Sequence, residues 1–330
     1  MSRIKRMLLA LSLAVFAAFV VAACGDDEGD SGGDGGSEGG YEIALLTGDN
    51  HDPFFITMNA GAQEKAEELG VNVEWQGPAK YEPAEQIKVL NSVMQQDPDF
   101  LLTAPTDVNA LSQPLKQVSD GDTPIITVDT DVAATEVRLG NITSDNELGG
   151  KVAAEYIAEK IGGKGKVLLI NQAPGISTLD ARQKGFEQEL KKHPDIEYLG
   201  VEYTQDDPNK TAAAVGAALQ KDPDLKGIFA VDTLTAEGVA TGIANANKAD
   251  QIVAVGFDGS PSEVEAVRKG TLDALIVQRA YDMGALAVEY AVKYLEDGTE
   301  PPAQELLDYV VADSSNLDDP EVQKYLYRAE

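Results

Sequence analysis

The chain contains little cysteine, histidine or positive charge, and each shortage excludes a class of function. Cys24 is the only cysteine, so no intrachain disulfide can form. His51 and His193 are the only histidines, and neither an HExxH zinc motif nor a GxSxG nucleophile motif is present. The 26 basic residues face 56 acidic ones, which gives a formal net charge of −30. Such a surface repels nucleic-acid phosphates, so we expect no nucleic-acid partner.

Aliphatic residues are abundant, whereas aromatic residues are few. Hydrophobic side chains make up 43% of the 330 residues and aromatic ones only 6%. A composition rich in Val, Ile, Leu and Ala is typical of α/β proteins and not of disordered chains. This length and apolar content predict two globular domains.

The N-terminus resembles a bacterial lipoprotein signal. Arg3, Lys5 and Arg6 precede an apolar stretch, residues 7–23, that is shorter than a membrane-spanning helix. The stretch ends in Val-Ala-Ala-Cys-Gly, like the lipobox whose cleavage frees a cysteine for acylation. We predict a signal peptide over residues 1–24 and a lipid on Cys24; the alternative is an ordinary secretory signal with an incidental cysteine. Residues 25–40, almost entirely Gly, Ser, Asp and Glu, predict a flexible tether.

From residue 41 onward, short apolar runs alternate with amphipathic stretches. Most runs are continuously apolar, which is typical of parallel strands buried on both faces. The predicted strands are residues 43–47, 71–75, 100–103, 124–128, 167–171, 227–231, 252–256 and 274–277. The predicted helices include residues 54–69, 84–96, 147–161, 178–191, 209–220 and 282–295. This alternation predicts an α/β fold with two doubly wound parallel sheets.

Charged or amide side chains lie at the ends of several predicted strands. Ligands of open parallel sheets bind beyond the carboxyl ends of the strands, so these side chains form the candidate site. They are Asn50, His51 and Asp52 in the loop of residues 48–55, then Asp129 and Asp131, Arg182, Asp232, Asp258 and Gln278. Any single aspartate has the alternative role of capping the next helix. Their convergence from separate strands favours a shared site.

These residue types suit a polyhydroxylated ligand. A carboxylate accepts hydrogen bonds from adjacent hydroxyls, and Arg and Gln donate to sugar oxygens. Phe54 and Phe55 lie where an aromatic ring can cover the apolar face of a sugar. The alternative for one of the two is the first core residue of the following helix.

In combination, these segments resemble the ribose-type (type I) periplasmic sugar-binding proteins over about residues 41–311. The matching motifs are residues 43–46 followed by 53–55, then 61–63, 105–107, 144–146 with 149–150, and 255–259. The resemblance implies two lobes with a three-segment hinge, a solute held between them, and no catalysis or cofactor. Galactose-type members carry a calcium loop of alternating Asp and Asn; this chain has no such run, so we expect no metal.

The resemblance also implies lobe boundaries and ligand contacts. Residues 41–143 with 279–306 would form the N-terminal lobe, and residues 144–278 with 307–330 the C-terminal lobe. Carried over by position, the ligand contacts would be Asp52, Phe54, Phe55, Asp129, Arg182, Asp232, Asp258 and Gln278. Further candidates are Asn50, His51, Asp131 and Asp206.

The chain departs from the family's ribose binders at five positions that would face the ligand. Ribose binders carry Asn where this chain has Asp52, Ala104 and Asp232, and a second Arg where it has Thr130. An aromatic residue of those binders aligns with Asp206. Because donors are lost and acceptors gained, we expect a neutral pentose-sized sugar or a linear sugar alcohol. An amino sugar is the rival, since an excess of Asp also attracts a cation.

The combined prediction is an extracytoplasmic, lipid-anchored monomer that delivers a small sugar or sugar alcohol to the permease of an ABC importer. A receptor that presents the bound solute to a chemoreceptor or sensor kinase is the alternative, because fold and site would be the same. A regulator of the lactose-repressor type would begin with a helix-turn-helix, where this chain has a signal peptide. A hydrolase would rest only on the carboxylates of Asp129 and Asp131.

Overall fold

The computed structural model of the protein describes residues 40–328. The predicted signal peptide, Cys24 and the tether up to residue 39 lie outside the described residues. Within residues 40–328, no helix combines the length and the apolar character needed to cross a membrane. These residues build two six-stranded sheets, each flanked by helices.

The first sheet is entirely parallel. Its strands are β1 (Glu42–Leu46), β2 (Asn72–Gln76), β3 (Phe100–Thr103), β4 (Ile125–Val128), β5 (Gly140–Ser144) and β11 (Glu305–Leu307). They lie in the order β11-β5-β4-β3-β1-β2. Every residue of β3 and β4 is buried, as expected for apolar strands covered by helices on both faces.

The second sheet repeats this arrangement with one antiparallel edge. Its strands are β6 (Gly165–Asn171), β7 (Ile196–Tyr203), β8 (Leu225–Ala230), β9 (Val253–Phe257), β10 (Ala274–Gln278) and β12 (Tyr309–Asp313). They lie in the order β12-β10-β9-β8-β6-β7, with β12 antiparallel to β10. In each sheet the strand order changes direction at one position. Open α/β sheets bind their ligands at such a position, beyond the carboxyl ends of the strands.

Ten helices of the described residues connect these strands. They are α1 (Pro53–Leu69), α2 (Pro83–Val93), α3 (Ser112–Ser119), α4 (Asn146–Lys160), α5 (Ser177–Leu190), α6 (Pro208–Lys221), α7 (Thr233–Ala246), α8 (Pro261–Lys269), α9 (Ala280–Asp297) and α10 (Pro320–Gln323). In the first lobe α1 packs against α9, and in the second lobe α4 packs against α5. Short 3-10 turns at Met94–Gln96 and Thr135–Val137 complete the set.

The chain crosses between the two sheets three times. It passes to the second sheet after Ser144, returns to the first after Gln278, and crosses again between Leu307 and Tyr309. The predicted fold class, two doubly wound lobes joined by three segments, is therefore confirmed.

All eight predicted strands are present, but the sequence analysis missed four others: β5, β7, β11 and β12. Strand β5 was missed because its sequence, GNITS, is polar although all five residues are buried. Its Asn141 donates from Nδ2 to Thr127 Oγ1 (3.1 Å) and to the carbonyl of Thr130 (3.3 Å), which satisfies the buried amide. Strand β7 lies at the edge of its sheet and is mostly half-buried, so it lacks a continuous apolar run.

Candidate ligand-binding site

The carboxyl ends of the two sheets face each other across a small cavity. The first lobe lines it with Asp49, Asp52, Phe54, Phe55, Tyr81 and Asp129. The second lobe lines it with Gln172, Ile176, Thr178, Leu179, Arg182, Asp206, Asp232, Asp258 and Gln278. The structure thus gathers all eight residues of the main predicted set, from segments far apart in the chain.

The lobes are in direct contact around this cavity. The amide of Val108 donates to the carbonyl of Gly175 (2.9 Å), and the amide of Asp131 donates to Ser177 Oγ (2.8 Å). The cavity volume is about 40 Å³, which is room for about three water molecules. With the lobes in contact, this space is too small for a monosaccharide.

Asp129 carries a buried carboxylate with unused hydrogen-bonding capacity. It follows β4 with φ 59°, and its side chain is almost fully buried. Within the described residues, its Oδ1 has no hydrogen-bond partner. Burial raises the pKa of Asp129 to about 7, although the Arg182 guanidinium opposes the rise. A buried oxygen without a partner is costly, so this atom is a strong candidate for a ligand contact.

Arg182 is held rigidly with part of its guanidinium unused. Its Nε donates to Asn146 Oδ1 (2.8 Å) and its Nη1 donates to the carbonyl of Val231 (2.7 Å). The guanidinium also lies 3.6 Å from the centre of the Phe257 ring, a cation–π contact. Of the residues that line the cavity, Arg182 is the only Lys or Arg. Within the described residues, its Nη2 makes no hydrogen bond and remains available as a donor.

Two glycines, which have no side chain, allow α4 and α5 to pack closely, and this packing sets the position of Arg182. A Cβ added at Gly150 would lie 1.9 Å from the carbonyl oxygen of Arg182, and one at Gly185 would lie 1.9 Å from that of Glu147. Neither distance is possible without moving a backbone. The close approach of the two helices therefore requires glycine at both positions.

We expect Gly150→Ala to destabilise the protein by about 1–3 kcal/mol, since the added methyl forces α4 away from α5. Urea unfolding measures the difference. Gly216→Ala is the matched control, because Gly216 also lies within a helix but an added Cβ there meets no atom within 4 Å. That substitution should be neutral or stabilising. Equal effects of the two substitutions would contradict the close-packing argument.

Asp52 and Asp232 are helix caps and cavity residues at once. Asp52 Oδ1 accepts from the amide of Phe54 (2.9 Å), and Asp232 Oδ1 accepts from the amide of Thr235 (2.9 Å). Asp232 Oδ2 is buried and has no partner within the described residues. Burial raises the pKa of Asp52 well above its ordinary value and that of Asp232 to about 6. The capping role therefore does not exclude a ligand role, because each carboxylate has a second oxygen.

Asp258 and Gln278 form a buried network that reaches the hinge. Gln278 Nε2 donates to Asp258 Oδ1 (2.7 Å), and Gln278 Oε1 accepts from Ser144 Oγ (2.9 Å). Thr233 Oγ1 donates to Asp258 Oδ2 at a longer 3.3 Å. Asp258 is not the cap of the following helix, since that role belongs to Ser260. The network connects a cavity carboxylate to Ser144 and Gln278, where the chain crosses between the lobes.

An aromatic wall covers the first-lobe side of the cavity. The Phe54 and Phe55 rings meet edge to face with centroids 5.1 Å apart, and Phe55 stacks against Tyr81 at 6.4 Å. Both phenylalanines are buried and both line the cavity, so neither is only a core residue. Such a wall suits the C–H face of a sugar.

The structure places the four additional candidates in different surroundings. Asp206 lines the cavity, and burial together with nearby Asp232 raises the pKa of Asp206 to about 8. His51 lines a larger outer chamber, whereas Asn50 is exposed and lines neither space. Asp131 does not line the inner cavity, because its oxygens accept from Nε (2.7 Å) and Nη2 (2.6 Å) of Arg138. The interpretation of Asp129 and Asp131 as a catalytic pair therefore loses support.

Sequence analysis did not single out Tyr81 or Gln172 as ligand contacts, and it treated Asp49 only as part of a loop. Asp49 Oδ1 accepts from the amides of His51 and Asp52, both at 2.8 Å. Its position in the Asp-rich loop was an available signal. Tyr81 lies between β2 and α2 with no pattern around it, and Gln172 follows β6 directly. The strand-end rule could have found Gln172.

Six aspartates and one arginine give the cavity its chemistry. Hydroxyl donors of a ligand can satisfy the buried oxygens of Asp129 and Asp232, while Arg182 donates to a ligand oxygen. Across residues 40–328, no group of three or more His, Cys, Asp or Glu side chains is arranged to hold a metal ion.

Comparison with known proteins agrees with this geometry. Residues 43–300 match the periplasmic binding protein domain. The chain belongs to this family. The predicted resemblance to ribose-type periplasmic binding proteins is thereby confirmed.

Relatives within the family are binding proteins for sugars. The ribose import binding protein of Salmonella typhimurium is 34% identical over 254 residues, which are 77% of this chain and 84% of that protein. The D-apiose import binding protein of Actinobacillus succinogenes is 26% identical and covers 96% of both chains. An ABC transporter solute-binding protein of Agrobacterium vitis, solved with α-D-tagatopyranose, superposes with a TM-score of 0.85 at 36% identity, covering 87% of this chain and 99% of that one.

Proposed function

We propose that the protein captures a small neutral sugar or sugar alcohol outside the cytoplasm and delivers it to the permease of an ABC importer. The observation that carries the proposal is the cavity between the lobes, in which Asp129 of one lobe and Arg182 of the other face a common space. Buried oxygens of Asp129 and Asp232 that have no hydrogen-bond partner among residues 40–328 match a ligand with many hydroxyl donors. Binding proteins for sugars among the relatives support the same class of ligand.

A thermal-shift screen of the protein lacking residues 1–24 tests this function. The panel contains D-ribose, D-arabinose, D-tagatose, xylitol and an amino sugar, glucosamine. A ligand that binds only the folded protein raises its melting temperature. We expect a neutral member of the panel to give the largest shift. A shift with none of the neutral compounds would contradict the proposal.

Within this class, the balance of donors and acceptors favours a linear sugar alcohol. A ring oxygen accepts hydrogen bonds but cannot donate, whereas every oxygen of a linear polyol can donate. Six aspartates against one arginine therefore suit xylitol better than ribose, because hydroxyl donors of the ligand stabilise the ionised form of carboxylates that are otherwise partly protonated at neutral pH. If glucosamine alone binds, and added salt weakens its binding, the ligand is a cation and the neutral-ligand proposal is wrong.

We expect the lobes to close on binding. Ligand groups divided between two lobes favour the closed state, because only that state makes all the contacts. X-ray scattering should show a smaller radius of gyration when the best ligand of the panel saturates the protein. The same measurement with a compound that gives no thermal shift is the control. An unchanged profile at saturation would count against hinge closure.

We also propose that a lipid on Cys24 is the only membrane attachment. The lipobox-like residues 21–25 and the polar residues that follow support this proposal. Intact-mass analysis of protein extracted from membranes should show an acylated chain that begins at Cys24. Cys24→Ala should release the protein from the membrane fraction. Recovery of unmodified protein that still begins at Met1 would contradict the proposal.

A further inference from the structure

The C-terminal segment of residues 314–328 follows β12 and lies beyond the part of the chain that matches the family domain. It packs against the second lobe with three almost fully buried side chains, those of Leu317, Val322 and Tyr327. The amide of Tyr327 donates to the carbonyl of Gly259 (2.9 Å), directly after Asp258. The segment therefore has a defined position next to the ligand cavity.

The hydroxyl of Tyr327 holds one oxygen of Asp258. It donates to Asp258 Oδ1 at 2.6 Å, and Gln278 Nε2 donates to the same oxygen at 2.7 Å. Burial raises the pKa of Tyr327 well above its ordinary value, so the phenol keeps its proton and remains a donor. Two short hydrogen bonds saturate Oδ1 and fix the carboxylate plane. Asp258 Oδ2, with only the 3.3 Å contact from Thr233, is then directed to other partners.

The same segment reaches across to the first lobe. The Tyr327 ring contacts the Phe54 ring edge to face, with centroids 5.7 Å apart. The amide of Arg328 donates to Thr57 Oγ1 (2.8 Å) in α1, and the Arg328 guanidinium lies 4.9 Å from the centre of the Tyr281 ring in α9. The contact with Asp258 lies within one lobe, whereas those with Phe54 and Thr57 join the two lobes.

We propose that Tyr327 is a positioning residue of the ligand site, which orients Asp258 and supports Phe54 when the lobes are closed. Tyr327 does not line the cavity, so it acts through these two residues and not by touching the ligand. The role of Asp258 and Phe54 as ligand contacts rests on the proposed function. The competing explanation is that Tyr327 is only a buried aromatic residue of the second lobe.

Tyr327→Phe separates the two explanations, because it keeps the ring and removes only the hydroxyl. We expect its affinity for the best-binding probe among D-ribose, D-arabinose, D-tagatose and xylitol to fall roughly tenfold by calorimetry. In an Asp258→Ala background the same change should have little further effect, since the oxygen that accepts from the Tyr327 hydroxyl is already gone. Tyr325→Phe is the matched control: Tyr325 belongs to the same segment, but the Asp258 carboxylate accepts its side-chain hydrogen bonds from Gln278, Thr233 and Tyr327, so Tyr325→Phe should leave affinity unchanged.

A second double-mutant cycle measures stability and needs no ligand. Urea unfolding of the ligand-free protein should show that Tyr327→Phe lowers the midpoint when Asp258 is present and has a much smaller effect in an Asp258→Ala background. If none of the four probes binds the unsubstituted protein, the proposed function fails, while this cycle still decides whether Tyr327 holds Asp258. Equal midpoint losses in both backgrounds would overturn the proposal. So would unchanged affinity of Tyr327→Phe for a probe that the unsubstituted protein binds.

Discussion

Asp129→Ala and Arg182→Ala should each weaken ligand binding roughly ten- to a hundredfold, because each removes a charge-assisted hydrogen bond worth about 1.5–3 kcal/mol. Both side chains are almost fully buried and approach the cavity from opposite lobes. Water cannot replace the lost partner as easily at a buried position as at the surface. The loss should therefore appear in affinity for the best-binding sugar or polyol, measured by calorimetry.

Two exposed substitutions serve as controls for these variants. Asp250→Ala removes an exposed carboxylate, and Arg268→Ala removes an exposed guanidinium that pairs with Asp318. Surface pairs of this kind contribute little, so both controls should bind normally. Near-ultraviolet circular dichroism should show that all four variants are folded. If Asp129→Ala or Arg182→Ala binds with near-native affinity, the ligand occupies a different site.

The ligand-free protein should become less stable as the pH rises from about 4 to about 8. Burial raises the pKa of Asp129 to about 7, that of Asp232 to about 6 and that of Asp206 to about 8. In the unfolded chain these groups lose their protons near pH 4. Within that window the folded protein therefore holds protons that the unfolded chain has released. The free energy of unfolding must then fall with rising pH.

Asp206→Asn tests the pH dependence, because an amide cannot titrate. One pKa unit corresponds to about 1.4 kcal/mol. Opening of the lobes and solvent screening lower the free-energy cost of ionising Asp206 in the folded protein. We expect the variant to recover about 1–4 kcal/mol of stability at pH 8 relative to pH 5, measured by urea unfolding at both values. Asp250→Asn, at an exposed position, should leave the slope unchanged. A parent-like slope in Asp206→Asn would contradict the assignment.

Sequence alone predicted eight of the eleven parallel strands, most of them because burial on both faces requires a continuous apolar run. Residues 100–103 and 124–128 contain too few polar side chains to face water, and every residue of β3 and β4 is buried in the structure. The same reasoning failed for strand β5, because its polar residues can be buried only when partners such as Thr127 satisfy their hydrogen bonds. A buried polar strand is recognisable only when its hydrogen-bond partners are known.

The residues of the candidate site also fall into two groups, those that the sequence could predict and those that it could not. Asp129 and Asp232 were predictable because each follows a parallel strand, and such strands present their carboxyl ends at one edge of a sheet. Arg182 lies within α5, so its prediction depended on the family resemblance. Sequence did not decide which of the neighbouring carboxylates face the cavity. Asp131 lies only two residues after Asp129, yet its oxygens bind Arg138 instead of lining the inner space.

Local pattern determined the fold class, the strand-end carboxylates and the aromatic pair Phe54 and Phe55, because each depends on neighbours within a few residues. Tertiary structure alone decided the contacts between distant residues. Tyr327 lies 69 residues from Asp258, and its hydroxyl reaches that carboxylate only because the C-terminal segment packs against the second lobe. The raised pKa values likewise arise from closure of the lobes and burial of carboxylates from several strands, which no local pattern encodes.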